Sequence, residues 1–161
     1  MNILTVLLLC SLATQTRTSS AADADDDVAR VVYHADFSDP RRFSAMLTSI
    51  NNMVIYYENE FIDYDVRIVF VSHGIRFLTK NKLEKTPFSA DAALEERRAN
   101  LKGRLETLNR VRAVKLELCD ITRTQISLLA DELYESVETV PSGVVRIAEL
   151  QKQGFAYIKI E

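Results

Sequence analysis

The sequence predicts an α/β protein: a three-layer α/β/α sandwich around a mostly parallel central sheet of about five strands. Three observations predict it. Apolar, β-branched runs alternate with long amphipathic stretches in the order β-α-β-α-β-α-α-β. The runs RVVYHA and VRIVFVS lack clean polar alternation, as strands covered on both faces do. The 161 residues are 47% hydrophobic and 27% charged, enough for the core of one soluble domain and short for two.

The amino terminus stands apart from that domain. Ile3 to Ala13 (ILTVLLLCSLA) is an apolar run of signal-peptide length, too short to span a bilayer as a helix. Small residues follow, and cleavage after Ala22 or Ala24 fits an A-x-A-like rule. Residues 1–22 therefore read as a signal peptide and 23–29 as an acidic, disordered leader. Residues 30–161 form the single domain. The expectation is an exported, periplasmic protein with no membrane attachment after cleavage. Leu9 precedes Cys10 where a lipoprotein signal wants a small residue. Removing residues 1–22 takes away Arg17 and no acid, so the formal charge moves from −3 to −4. That charge, with no basic run longer than two residues, argues against nonspecific nucleic-acid binding. Cleavage also removes Cys10 and leaves Cys119 alone, a thiol with no internal disulfide partner.

Taken in order, Arg30 to Ala35 is the first strand. Asp39 then supplies an N-cap and Pro40 the first helical position. Phe43, Met46, Leu47, Ile50, Met53, Val54 and Tyr57 recur at helical spacing and form one apolar stripe. Val66 to Ser72 is the second strand, closed by His73-Gly74, and Ile75 to Leu78 begins a short helix. Asn81 to Phe88 is a loop. Asp91 to Leu108 is a helix whose inner face carries Leu94, Leu101, Leu105 and Leu108.

In the third strand Val114, Leu116 and Leu118 alternate with Lys115 and Glu117, as a strand with one packed side does. Cys119 ends it. Asp120 or Thr122 caps the next helix, with Ile126, Leu129 and Leu133 inward. Glu135 to Val140 is a strand or a loop. Pro141-Ser142-Gly143 opens the last helix, which runs through Lys152, and Gly154 suits its C′ position. Phe155 to Ile160 is a closing strand.

The candidate site follows from that order. His34 ends the first strand, His73 the second and Cys119 the third, with Asp36, Gly74 and Asp120 beside them. Parallel strands would bring all three to one edge of the sheet, where open α/β folds bind ligands. Two chemistries suit them. Cys119 could be a thiolate nucleophile or persulfide carrier, assisted by a helix start and an imidazolium and opposed by the Asp120 carboxylate. Alternatively, His34, His73 and Cys119 could bind a metal such as zinc with an open fourth position. The first is preferred because no short metal-ligand motif exists. A bland packing role for Cys119 would leave a module that binds a small ligand or partner without covalent chemistry. No phosphate-binding glycine loop or serine nucleophile elbow is present, and no cofactor is implied.

The VVYH strand, the long helix ending near Asn59, IVFVSHG, the strand-Cys-x-x-Thr segment LELCDIT and the tail VPSGVVRIAELQKQGFAYIKI together resemble the DsrE/DsrF-like proteins. The resemblance spans Val31 to Ile160, and the exported subset of the family fits best. It implies a three-layer subunit assembled as a trimer or hexamer, and a cysteine that relays sulfur as a persulfide between donor and acceptor proteins. Cys119 matches the family cysteine by its place in LELCDIT. On this reading His34 and His73 line the pocket and polarise the incoming sulfur. The amides from Thr122 to Thr124 stabilise negative charge.

Overall fold

A computed structural model describes residues 28–161. The apolar segment Ile3–Ala13, the expected cleavage sites and the acidic run through Asp27 lie outside the described residues. Five strands, β1 (Ala29–Ala35), β2 (Tyr64–Phe70), β3 (Lys115–Cys119), β4 (Val137–Val140) and β5 (Ala156–Ile158), form one sheet in the order β4-β3-β2-β1-β5. Every pairing is parallel. The predicted fold class stands.

Local chemistry sets the helices. In α1 (Pro40–Asn59) the Asp39 carboxylate accepts from the Arg41 amide at 2.7 Å, and Pro40 supplies a preset φ. Phe43, Met46, Leu47, Ile50 and Val54 are buried at three- and four-residue spacing. In α2 (Ala92–Arg112) the Asp91 carboxylate accepts from the Leu94 amide, and the four predicted leucines are buried. Both helices pack on one face of the sheet over Tyr33, Ile68, Phe70, Leu116 and Leu118. Among the described residues, the opposite face carries only α4 (Gly143–Lys152), over a smaller cluster of Val32, Val69, Ile147, Leu150 and Phe155.

Several elements differ from expectation. The segment after Cys119 is not a long amphipathic helix. It is a six-residue helix, α3 (Asp120–Gln125), in which Cys119 itself, not Asp120 or Thr122, occupies the N-cap position and no side-chain cap bond forms. Ser127 adopts a left-handed φ of 55°. The Arg123 guanidinium then bonds both the Asp120 carboxylate and the Leu128 carbonyl, folding the chain back. Leu128 is buried instead of Leu129, which is 62% exposed, and Ile126 and Leu133 pack only partly against the core. The short helix expected at Ile75 is a 3-10 helix, Ser72–Phe77. Residues 135–140 supply the edge strand β4. The closing strand pairs only through Ile158, after which Arg42 binds the Ile160 carbonyl.

Glu117 is the largest departure. Its alternation with leucines suggests a solvent-facing residue, yet its side chain is 3% exposed. It lies under α4 and is held by Arg67 at 2.9 Å and by two nitrogens of Arg146 at 2.7 and 2.9 Å.

Candidate functional site

Cys119 is the last residue of β3. Residues alternate across a strand, so Cys119 shares its face with Glu117 and lies on the α4 side. The side chain is only 4% exposed. The first turn of α4 meets it directly: a Cβ on Gly143 would lie 3.0 Å from the Cys119 Cβ and 2.6 Å from Val71 Cγ2. Glycine is what lets the helix start approach this closely. Ser142 caps α4 through the Val145 amide, which leaves the Gly143 N–H free to face the sulfur.

Three more donors face it. The Thr122 amide and hydroxyl and the Ile121 amide join that of Gly143. Burial pushes the Cys119 thiol up, but these four donors more than offset it. Its pKa therefore lies below the ordinary thiol value. The rise expected from Asp120 does not prevail. That carboxylate is bonded to Arg123 at 2.7 Å.

The ion cluster beneath the thiol fixes this arrangement. Glu117 ties β3 to α4 through Arg146, one turn beyond Gly143, and to β2 through Arg67. Arg67 also bonds Asp65 at 2.6 Å and stands over the Phe155 ring. Burial raises the Glu117 pKa, and its bonds to Arg146 and Arg67 bring it below the usual carboxylate value.

The two histidines do not meet the thiol. His34 lies on β1, and β2 separates β1 from β3, so about 10 Å lies between those strands at the usual spacing. His34 instead builds a cluster with β5: its Nδ1 shares a hydrogen bond with the Tyr157 hydroxyl at 2.9 Å. Its Nε2 is 3.9 Å from Asp36, which is bound by Lys159 at 2.9 Å. Burial lowers the His34 pKa, Lys159 lowers it further and Asp36 opposes them. His73 turns elsewhere. Its ring stands edge-on to Phe88, a member of the core under α1 and α2, and its Nδ1 is 3.3 Å from the Ser72 hydroxyl. Among the described residues, no three His, Cys, Asp or Glu side chains converge as metal ligands would. The three-ligand zinc arrangement is therefore not formed.

Gly74 and Thr122 have specific structural duties. A Cβ on Gly74 would fall 2.1 Å from the Ala35 carbonyl oxygen, so glycine lets the 3-10 helix pack on the end of β1. Thr122 is 5% exposed, and its hydroxyl accepts from the Ser72 amide at 3.1 Å.

The participants that the sequence does not reveal are Gly143, Ser72 and the Ile121 amide. The Pro-Ser-Gly helix start was visible as a cap, but not its position against Cys119. A surface hollow of 610 Å³ lies between α1 and α2, lined by residues such as Leu47, Asn51, Gly103 and Arg104. It is remote from the thiol.

The model of the DsrE/DsrF-like family matches residues 18–160. Two solved structures share the fold. A protein of unknown function from Methanobacterium thermoautotrophicum, MTH1491, is 25% identical, with 81% of this chain and 98% of that one covered and a TM-score of 0.62. The ychN protein from E. coli is 16% identical over the same shares, with a TM-score of 0.54. No curated protein matches the chain.

Proposed function

The chain belongs to the DsrE/DsrF-like family, and from that membership we propose that it carries sulfane sulfur as a persulfide on Cys119. One observation supports this most: a buried thiol is surrounded by four donors that favour its anion. A cysteine used only for packing needs none of them. The donors from Gly143, Thr122 and Ile121 also suit the negative charge of a thiolate leaving group.

The step is a thiol–persulfide exchange without net redox change. The Cys119 thiolate attacks the outer sulfur of a donor persulfide, R–S–SH. An Sγ–S bond forms, the donor S–S bond breaks, and the electron pair leaves with R–S⁻. An acceptor thiolate then attacks the outer sulfur and regenerates the Cys119 thiolate. Donor and acceptor are thiol-bearing partners, and the chain is a carrier rather than a catalyst of net turnover. The apolar segment Ile3–Ala13 supports an exported, periplasmic site of action. Family membership supports a trimer or hexamer. In an oxidising compartment the thiol needs a dedicated reductant, or rests as persulfide or mixed disulfide.

The 4% exposure of Cys119 favours a second reading, a DsrE-like module that binds a small ligand or partner without covalent chemistry. Cyanolysis separates the two. Protein incubated with polysulfide, desalted and treated with cyanide is expected to release thiocyanate in proportion to chain, and Cys119→Ser to release none. Equal release from both, or none from either, would remove the carrier reading.

A further inference from the structure

Gly103 stands in the middle of α2, where glycine weakens a helix relative to alanine. No close approach demands it, because a Cβ there would meet nothing within 4 Å. Gly103 lines the hollow of 610 Å³ between α1 and α2, so a larger side chain would project into that space. The helix gives up stability at this position and the hollow stays open.

The polar groups around the hollow point to what it holds. Arg104 crosses from α2 to α1. Its Nη1 donates to the Ser44 hydroxyl at 2.6 Å, and its Nη2 donates to the Ser44 carbonyl at 2.9 Å and the Thr48 hydroxyl at 2.8 Å. All three acceptors are neutral, and among the described residues no carboxylate pairs with Arg104. The guanidinium is thus held in place with its charge uncompensated. No acidic side chain among the described residues lines the hollow. Asn51 on α1 and Asn100 on α2 do line it, and among the described residues neither carboxamide has a hydrogen-bond partner. A carboxamide can both donate and accept. The volume lies within the range of about 300–1,000 Å³ typical of small-molecule sites.

We propose that this hollow binds a small organic anion, a carboxylate or phosphate ester with hydroxyl groups on its body. The anionic group takes the Arg104 guanidinium, in the charge-assisted pairing that its neutral partners leave unfilled. The hydroxyls take the Asn51 and Asn100 carboxamides. The site lies apart from Cys119 and does not rest on carrier chemistry.

The test is calorimetric titration of the full chain with citrate, glycerol phosphate and inorganic phosphate at matched ionic strength. Citrate brings carboxylates and a hydroxyl, and glycerol phosphate brings a phosphate ester and hydroxyls. At least one of these two should bind about tenfold tighter than inorganic phosphate, the worth of the hydrogen bonds to its body. Arg104→Met should weaken that probe about tenfold or more, as loss of a charged hydrogen bond does. Gly103→Leu fills the hollow with a better helix former. It should abolish detectable binding yet melt no lower than wild type, a pairing that a purely structural glycine would not give. This arm also serves if Arg104→Met fails to fold. Wild-type protein that binds neither organic probe, or binds inorganic phosphate as tightly, would overturn the proposal. So would a folded Arg104→Met or Gly103→Leu protein that binds the probe as wild type does.

Discussion

Gly143 and Cys119 touch across the α4 side of the sheet so closely that a single methyl group does not fit between them. A Cβ on Gly143 would lie 3.0 Å from the Cys119 Cβ, and Val71 Cγ2 is closer still at 2.6 Å. That contact delivers a helix-start amide to a buried sulfur.

Gly143→Ala should therefore push the start of α4 off the sheet. Overpacking of this kind costs about 1–3 kcal/mol, and the variant should lose that much in urea denaturation. Its native Cys119 alkylation profile should also move alkaline, because the Gly143 amide recedes. An unchanged profile would show that this amide does not act on the thiol.

Glu117 anchors the same helix from beneath. Glu117→Gln leaves Arg67 and Arg146 without their shared carboxylate, and breaking a buried pair costs about 3 kcal/mol or more at neutral pH. The pH dependence has a definite sign. Folding depresses the Glu117 pKa, so its stabilisation is complete above the unfolded-state value of about 4.3 and is lost as pH falls through the lower folded value. Wild type and Glu117→Gln should converge in stability under acid conditions. A constant gap down to pH of about 2 would contradict the pairing.

Phe61 ends α1 where glycine is usual. Its φ is 56°, and the Phe61 and Ile62 amides donate to the Glu58 and Tyr57 carbonyls as in a Schellman motif. The ring is 95% exposed and contributes little burial in return. Phe61→Gly should raise stability by about 1 kcal/mol, the cost of a left-handed side-chain residue. Thiol reactivity should not change. Thermal melting checks the first and alkylation the second.

His34 reports on the far corner of the sheet. Lys159 lowers its pKa directly and binds Asp36, which would raise it. Lys159→Met should move the His34 titration, followed by its imidazole proton resonances, to higher pH. A shift to lower pH would show that the cluster is not organised around this carboxylate.

The sequence reveals the layers, the strand ends and the position of Cys119, because each depends on spacing within about ten residues. Asp39-Pro40 and Asp91 mark their helix starts for the same reason. The rest depends on partners distant in sequence. Glu117 alternates like a surface residue and is buried because Arg67 and Arg146, 50 and 29 positions away, neutralise it. Leu129 and Leu133 continue a helical period past the point where Ser127 turns left-handed, so periodicity overruns the end of α3. His34 lies near the end of β1, but β2 stops at Phe70 and His73 falls in the 3-10 helix that follows rather than at the strand's end. His34 turns to Tyr157 and Asp36, and His73 packs edge-on to Phe88, orientations that no spacing rule supplies. Gly143 reads as part of a helix start, and only the crossing of α4 over the sheet sets it against Cys119.

The most direct test of the carrier reading is the intact mass of the native protein before and after polysulfide, with Cys119→Ser alongside. Persulfide chemistry predicts added sulfur-atom masses on wild type that disappear with reductant and never form on the variant. A wild-type mass unchanged by polysulfide, or the same gain on Cys119→Ser, would contradict it.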